Sequence, residues 1–396
     1  MVGTGTRGYG GDGGLAVKAY LDIPTSVAFD ASGNSYITDT VNNVIRKVTK
    51  STGIITTVVG VQSVIRGYSG DGGAATSAML NLPFSVAFDA TGNMYVADTF
   101  NNVIRKVVKS TGIITTAIGV YSELGGYGGD GGLATKCYLH SPLTITFDAA
   151  GNLYIADVQN SVIRMVTKST GIIKTVAGVG MTSGYSGDGG QATRANLAFP
   201  VGFALDSSGN MYIADYAVNL VRKVTKSSGI ITTVVGTGMH GYTGDNGPAT
   251  KATLNIPYGM TFDKAGNLYL CDSQNSVVRK IAHGTGIITT AAGIGLPGYN
   301  GDGDLATEAP LYFPIGVAVD SNQNVYIADV ATNRVRSFST LSGPTMSPTA
   351  KPVGAPTANP SKAPVIASSA TTTVVALMSV YNPVWWISAA AVFFVW

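Results

Sequence analysis

A repeat of 57 to 59 residues, present six times, limits the fold of this sequence more than any other feature. The string Gly-Tyr-x-Gly-Asp marks it, with tyrosines Tyr9, Tyr68, Tyr127, Tyr185, Tyr242 and Tyr299. Three further series of residues, with one member in each repeat, recur at the same spacing. They are Asp30, Asp89, Asp148, Asp206, Asp263 and Asp320; Asp39, Asp98, Asp157, Asp215, Asp272 and Asp329; and Arg46, Arg105, Arg164, Arg222, Arg279 and Arg336. A fixed period indicates a chain built from copies of one supersecondary unit.

Each repeat contains four short segments with the composition of β-strands. In the first repeat they are SVAFD (26–30), NSYITD (34–39), NVIRKVTK (43–50) and GIITTVVG (53–60), which are rich in apolar and β-branched residues. Turn residues separate them, and no crossover helix lies between them, so neighbouring strands must pair antiparallel. The stretch 61–80 leads to the next repeat, and we expect one or two helical turns in it.

Six such units predict an all-β protein, a six-bladed β-propeller of four-stranded antiparallel blades over residues 1–338. A lone four-stranded sheet leaves its faces exposed, whereas a closed ring packs every blade against two neighbours. The alternative is an open solenoid of hairpins, which needs distinct capping units at its ends. The repeats show no such units, so we favour a monomeric propeller.

Composition agrees with this fold and excludes some functions. Hydrophobic residues make up 45% of the chain and charged residues 12%, and 51 of the 396 residues are glycine. The formal net charge is only +3, so no basic excess points to nucleic acid as a partner. Two cysteines, Cys137 and Cys271, give no disulfide framework, and we expect both to be buried free thiols.

The repeats resemble a known family. LPFSVAFDATGNMYVADTFNNVIRKV (82–107) resembles an NHL repeat, and the GDGG lead-in with the TGIITTVVG tail resembles the long variant found in teneurin propellers. The resemblance covers residues 1–338 and implies the propeller fold. It implies little about activity, because the family includes sensors, adhesion modules and enzymes.

Residues that recur in all six repeats are expected to hold the scaffold. The GDGG aspartates are predicted to accept backbone N–H bonds, as N-caps or Asx turns, before the helical turn that follows: Asp12, Asp71, Asp130, Asp188, Asp245 and Asp302. Their alternative role, a ring of calcium ligands, needs six to eight converging oxygens, which loops spread around a ring do not supply. We expect each YxxD aspartate to pair with the arginine seven residues later. The second-strand tyrosines, Tyr36, Tyr95, Tyr154, Tyr212, Tyr269 and Tyr326, are expected to pack between blades.

Functional positions are expected where the repeats differ, and one set lies at the mouth of the predicted channel. Two residues before each strand-opening proline stand Asp22, Asn81, His140, Ala198, Asn255 and Tyr312. Two residues after it stand Ser26, Ser85 and Thr144 in the first three repeats and Gly202, Gly259 and Gly316 in the others. A polar mouth suits a small ligand or an ion, and its alternative content is ordered water.

A second variable set lies in the loops before each Gly-Tyr pair. The longest are VQSVIR (61–66) and VYSELG (120–125), whose Val64, Ile65, Tyr121 and Leu124 have the pattern of exposed apolar side chains. Apolar loop tips on a rigid scaffold predict a partner-binding edge. The alternative is loop variation without function.

An enzyme remains the alternative function, because the resemblance extends to lactonase-like propellers with a channel metal and to a peptide-amidating lyase with His-bound zinc. We expect His140, His240 and His283 to lie in three different places, which excludes a shared zinc. Asp22, Asn81, His140 and Asn255 form only a weak ligand set, so the one cofactor left open is a divalent cation such as calcium in the channel. We therefore favour a module that binds a protein or a glycan over a metal-dependent lactonase-like or lyase-like enzyme.

The repeat stops after Phe338, and two different segments follow. Residues 339–370 are rich in Pro, Ser and Thr, as in an extended stalk. Residues 371–396 are hydrophobic and have the length of a membrane-spanning helix, but they also have the layout of a GPI signal, with attachment at Ser368 or Ser369. We favour the GPI signal and therefore expect display at the cell surface.

The N-terminal sequence MVGTGTRGYGG lacks the charged and apolar regions of a signal peptide, which a GPI-anchored protein needs. The sixth repeat also lacks a TGIITT strand, and Met1–Gly3 match only the end of one. We therefore expect the natural protein to begin upstream of Met1.

Overall fold

The computed structural model describes residues 1–62 and 66–340. The chain divides into two units, Met1–Ser339 and Thr340–Trp396. The first unit is a six-bladed β-propeller, which confirms the all-β prediction. The stalk and the hydrophobic segment expected at 341–396 lie outside the described residues.

Blades one to five each contain four consecutive antiparallel strands, ordered from the channel outward. Blade one has β1 (Pro24–Phe29), β2 (Ser35–Asp39), β3 (Val44–Val48) and β4 (Ile55–Val59); blade two has β5 (Ser85–Phe88), β6 (Met94–Asp98), β7 (Val103–Val107) and β8 (Ile114–Ile118). Blade three has β9 (Pro142–Phe147), β10 (Leu153–Asp157), β11 (Val162–Val166) and β12 (Ile173–Ala177); blade four has β13 (Pro200–Leu205), β14 (Met211–Asp215), β15 (Leu220–Val224) and β16 (Ile231–Val235).

Blades five and six depart slightly from this plan. Blade five has β18 (Pro257–Phe262), β19 (Leu268–Asp272), β20 (Val277–Ile281) and β21 (Ile287–Ala292), with the two-residue β17 (Gly247–Pro248) added at its outer edge. Blade six has β22 (Pro314–Val319), β23 (Asn324–Asp329) and β24 (Arg334–Ser339). Val2 pairs with Val335 of β24, N–H to O at 2.8 and 2.9 Å in the two directions, and so joins the last blade to the first.

Short 3-10 helices form the rest of the regular structure. One set precedes the inner strands, as expected: Ala16–Lys18, Ala75–Ser77, Ala134–Lys136, Ala192–Arg194 and Ala249–Lys251. The other follows the second strands: Thr99–Asn101, Val158–Asn160, Tyr216–Val218, Ser273–Asn275 and Val330–Thr332. None of the helices within 1–62 and 66–340 is long and apolar enough to cross a membrane.

The hydrophobic core lies between the blades. One cluster joins blade one to blade two through buried residues such as Ile45 and Val96, and others join blades two and three and blades six and one. The second-strand tyrosines pack there as predicted: the ring centroids of Tyr36 and Phe88 are 4.7 Å apart, and those of Tyr326 and Phe29 are 4.9 Å apart across the ring closure. Each blade therefore depends on its neighbours for burial.

The two faces of the disc carry different loops. Asn42, in the turn between β2 and β3, donates from Nδ2 to the carbonyl of Gly8 at 2.8 Å, and Asn101, Asn160 and Asn275 repeat this contact. The turns after the second strands and the loops that lead into each blade thus share one side, called the upper face here. The turns that contain Asp30 and its equivalents lie on the opposite, lower face.

Candidate functional site

A buried arginine in each blade holds two aspartates from different parts of the repeat. In blade one, Arg46 is fully buried, and its Nη1 donates to Asp39 Oδ2 at 3.3 Å while Nη2 donates to Asp12 Oδ1 at 2.6 Å. Its guanidinium also lies 4.8 Å from the ring centroid of Tyr9. The same ion pairs form in all six blades, which confirms the predicted pairing of the YxxD aspartate with the arginine.

The GDGG aspartates do not cap the helical turns, so that prediction was wrong. None of the 3-10 helices that follow them has a side-chain cap. Asp12 Oδ2 instead accepts the backbone N–H of Thr57 in the outer strand at 2.9 Å. The other oxygen of Asp12, Oδ1, accepts from Arg46 and not from the backbone of the helical turn, because a charged donor makes the stronger hydrogen bond. These aspartates therefore fasten the outer strand of each blade to its arginine.

The pKa values of the two aspartates shift in opposite directions, although burial raises both. Burial raises the pKa of Asp39 to about 7, against the hydrogen bonds that the ionised form accepts from Asp22 N and Asn42. Asp12 is only partly buried, and there the bonds from Thr57 and Arg46 outweigh burial and lower its pKa. Perturbed pKa values often mark active sites. The raised pKa of Asp39 recurs in the equivalent aspartates of all six blades, so it belongs to the scaffold.

The predicted mouth residues are held in place by these scaffold aspartates. The backbone N–H of Asp22 donates to Asp39 Oδ1 at 2.7 Å. The backbone N–H groups of Asn81, His140, Ala198, Asn255 and Tyr312 donate to the corresponding aspartates in the same way. The six positions therefore form a ring on the upper face, as expected from the sequence.

The side chains of this ring have different environments. Asp22 is 7% exposed and accepts both carboxylate hydrogen bonds from Arg7 Nε, at 2.7 and 2.8 Å. Asn81 Oδ1 is buried and has no partner among the described residues. Burial lowers the pKa of His140, so its imidazole is neutral at pH 7. The ring is thus polar, with one ion pair and several uncommitted groups.

Two aromatic rings close the channel directly below this mouth. Phe84 and Tyr258 follow the strand-opening prolines of blades two and five, which lie opposite each other in a six-bladed ring. Their centroids are 5.8 Å apart and both residues are buried. Tyr216 packs edge-on against Tyr258, with centroids 5.9 Å apart. Sequence reasoning missed this plug, although the two aromatic residues at equivalent positions were visible.

A cavity of about 330 Å³ lies below the plug and opens toward the lower face. Its lining contains no charged side chain among the described residues. The hydroxyls predicted to line it are partly committed elsewhere, since Ser85 and Thr144 donate to Leu143 O and Val201 O of the next blades at 2.7 and 2.8 Å. Ser26, Gly202, Gly259 and Gly316 complete that layer of the wall.

The described part of the chain contains no cluster of acidic, histidine or cysteine side chains at metal-binding distance. No three His, Cys, Asp or Glu residues within 1–62 and 66–340 lie close enough to hold a metal ion. Cys137 and Cys271 are buried and free, as expected.

The loop tips on the upper face are exposed and apolar. Leu124 is 85% exposed, and Tyr121 stacks on Tyr68 with centroids 4.3 Å apart. Val64 and Ile65 lie outside the described residues. The loops into blades four, five and six expose Met181, Met239 and Leu296 in the same way, although they are short and were not selected from the sequence. We call Leu124, Met181, Met239 and Leu296 the apolar crown.

Two family models match parts of the propeller. Residues 179–243 match the teneurin NHL domain, and residues 311–338 match the NHL repeat. The first match covers the strands of blade four, and the second falls in blade six. Protein SUPPRESSOR OF QUENCHING 1, chloroplastic, of Arabidopsis thaliana is 28% identical over 273 residues, which cover 67% of this chain and 25% of that protein. NHL repeat-containing protein 2 of Bos taurus is 26% identical over 294 residues, with coverages of 67% and 40%. Teneurin-1 of Mus musculus is 25% identical over 303 residues, with coverages of 67% and 11%. The chain spans well under half of each relative.

Solved structures share the fold of this NHL propeller at low sequence identity. An auxiliary nutrient binding protein from Bacteroides thetaiotaomicron superposes with a TM-score of 0.57 at 18% identity, covering 80% of this chain and 69% of that one. A gluconolactonase from Xanthomonas campestris superposes with a TM-score of 0.50 at 12% identity, covering 78% and 84%. At these identities the likeness shows the fold and carries no activity with it.

Proposed function

We propose that this chain is a membrane-anchored, surface-displayed binding module whose NHL propeller captures a protein or glycan ligand through its upper face. One observation carries the proposal: the recurring side chains are occupied inside the scaffold, whereas the variable ones collect on the upper face.

The apolar crown favours a protein as the ligand of the outer part of this face. Its four side chains belong to the loops of four different blades, so they are spread too widely for one small molecule. Leu124 and Met181 expose 85% and 75% of their surface, and apolar side chains gathered on one face favour burial in a complex. A partner with an apolar contact surface fits this pattern.

The channel supports the binding module over the lactonase-like or lyase-like alternative. Phe84 and Tyr258 separate the mouth residues from the cavity, so Asp22 and His140 do not reach into it. A metal-dependent hydrolase needs several converging ligands and an open coordination position. The described residues around the mouth provide no such cluster.

Charged substitutions in the apolar crown should abolish ligand capture with little loss of stability. We expect the double variant Leu124→Asp and Met239→Asp to lose binding to intact cells, measured by flow cytometry, because an aspartate buried at an interface is left unpaired. Thermal unfolding should change little, since solvent-facing substitutions usually cost within about 0.5 kcal/mol.

Leu133→Asp is the matched control for this experiment. Leu133 is also exposed, but it lies outside the loops and pairs with Ile172 beside β12. The control should bind cells normally, and protease treatment of the cells should remove binding of the natural protein. Binding that survives protease but not glycosidase treatment would identify a glycan, and binding to protein-free vesicles would identify lipid. Normal binding by the double variant would contradict the role of the crown.

The anchor is the second part of the proposal and rests on the sequence of residues 339–396, which lie outside the described residues apart from 339 and 340. A GPI signal would be removed and would leave the Pro, Ser and Thr segment as a stalk ending at Ser368 or Ser369.

Treatment of cells with a phosphatidylinositol-specific phospholipase should release the protein. The mature protein should then lack Trp385, Trp386 and Trp396, the three tryptophans of the sequence. Mass spectrometry of the released protein measures its C-terminus. Recovery of a cellular peptide that ends at Trp396 would show a retained segment and would favour the spanning helix.

A further inference from the structure

One arc of the channel mouth carries polar side chains with unused hydrogen-bonding capacity. Tyr312, Asp22 and Asn81 occupy equivalent positions of blades six, one and two, which are neighbours in the ring. Arg7 and Arg66 each precede the Gly-Tyr pair of their own repeat and lie near Asp22. We call these five residues the mouth arc.

The ion pair between Arg7 and Asp22 leaves part of each group open. Arg7 uses only Nε for the two bonds to the carboxylate, and its terminal nitrogens have no partner among the described residues. The side chain of Arg7 is 49% exposed. A carboxylate accepts about four hydrogen bonds, so Asp22 keeps acceptor capacity toward the solvent.

Arg66 adds a second cation that no carboxylate neutralises. It is exposed and forms no ion pair with any residue that the structure describes. Its charge acts on Asp22: burial raises the pKa of Asp22, and the hydrogen bond from Arg7 and the charges of Arg7 and Arg66 oppose this rise. The arc therefore holds two guanidinium groups and one carboxylate, a local excess of one positive charge.

Asn81 and Tyr312 complete the chemistry of the arc. The buried Oδ1 of Asn81 has no hydrogen-bond partner among the described residues, and an unpaired buried acceptor is costly until a donor reaches it. Tyr312 is 40% exposed and offers a ring face and a hydroxyl on the other side of Asp22. Acceptors for hydroxyl donors thus flank the cationic groups.

We infer that the mouth arc binds an acidic saccharide, with the sugar carboxylate on Arg66 and sugar hydroxyls donating to Asn81 Oδ1 and Asp22. A guanidinium matches a carboxylate in a planar, two-point contact. A bare sulfate ion has no hydroxyl to donate to Asn81 Oδ1, whereas a saccharide has several. The inference rests on the proposed function, whose ligand is a protein or a glycan, and names the class of glycan that the mouth would bind; it makes no use of the apolar crown.

The test compares two forms of one ligand on the full chain. Isothermal titration calorimetry measures the binding of trigalacturonic acid and of its fully methyl-esterified form, which keeps the skeleton and loses the charges. We expect the acid to bind at least about tenfold more tightly than the ester. Arg66→Gln should weaken the acid at least about tenfold, the effect of losing a charged hydrogen bond, and should remove the difference between the two forms.

Arg194→Gln is the matched control, because it removes the same charge from an exposed arginine in another blade. It should bind the acid like the natural protein. Asn81→Ala should weaken the acid and the ester alike, because it removes a hydroxyl contact that both share. Equal binding of acid and ester, full binding by Arg66→Gln, or displacement of the acid by millimolar inorganic phosphate would each overturn the inference. The inference also fails if neither trigalacturonic acid nor a second acidic saccharide, 3′-sialyllactose, binds to the protein. None of these results depends on the variants of the apolar crown.

Discussion

Replacing Arg105 with methionine should destabilise the whole propeller by about 3–5 kcal/mol, the usual cost of removing one partner from a buried ion pair. Arg105 is fully buried in blade two and donates to Asp98 at 3.3 Å, to Asp71 at 2.6 Å and to the carbonyl of Ser69 at 3.0 Å. The substitution keeps most of the buried volume but leaves Asp98 without a countercharge. Denaturant unfolding measures the loss.

The effect of Arg105→Met should depend on pH in a defined direction. Burial already raises the pKa of Asp98 to about 6, and the charge of Arg105 holds it down. Without Arg105 this pKa rises further above the unfolded value. A group with a raised folded pKa contributes stability below its unfolded pKa and loses that contribution as pH rises through the folded value. The variant should therefore be impaired less at pH 5 than at pH 8.

Two controls separate the buried charge from packing. Lys109→Met changes an exposed basic residue after the same strand and should shift stability by no more than about 0.5 kcal/mol. The double variant Asp98→Asn and Arg105→Met should be more stable than Arg105→Met alone, because no buried carboxylate is left unpaired. If the single and double variants are equally unstable, lost packing and not charge explains the effect.

Gly259→Ala should also destabilise the propeller, by about 1–3 kcal/mol, the usual cost of overpacking a close contact. Gly259 does not have a left-handed φ, so chain entropy alone would make alanine stabilising by about 0.4–1 kcal/mol. A Cβ there would collide with the carbonyl oxygen of Ile315 and would lie 3.2 Å from Gly316 Cα in the next inner strand. Backbone atoms cannot move aside without opening the ring, so the steric cost decides the sign.

Ser85→Ala is the comparison for this glycine, because Ser85 occupies the equivalent position in blade two. It loses the hydrogen bond to Leu143 O and the one that Ser85 Oγ accepts from Ile145 N–H, and it should cost about 1–3 kcal/mol. Thermal unfolding of the two variants measures the difference. A more stable Gly259→Ala protein would show that the inner strands of blades five and six separate easily.

The fold could be predicted from the sequence because the same pattern of four strands recurs in six repeats. The pairing of Asp39 with Arg46 could also be predicted, since both lie in one hairpin and Arg46 stands opposite Ile37, on the face that Asp39 shares. The role of Asp12 could not, because its partner Arg46 lies 34 residues away and competes with the local cap. Local capping rules fail where a buried charge is the stronger donor.

The six mouth positions could be located from the sequence, but the contact between Phe84 and Tyr258 below them could not. The mouth ring followed from the place of the prolines, but the contact of Phe84 with Tyr258 joins blades that are far apart in sequence and meet only when the ring closes. The exposure of Met239 and Leu296 depended on the path of short loops, which no periodic pattern specifies.

The stacked rings of Phe84 and Tyr258 lie at the centre of the propeller, between the mouth on the upper face and the cavity on the lower face. Solutes in the lower cavity can reach the upper face only if Phe84 and Tyr258 move apart, so the two openings do not form a conduit. A ligand on one face changes the affinity of the other only if it shifts a structure that both share. With this centre closed and the blades tightly interlocked, we expect the coupling free energy between the faces to be close to zero. Each face of the propeller can therefore acquire or lose a ligand independently of the other.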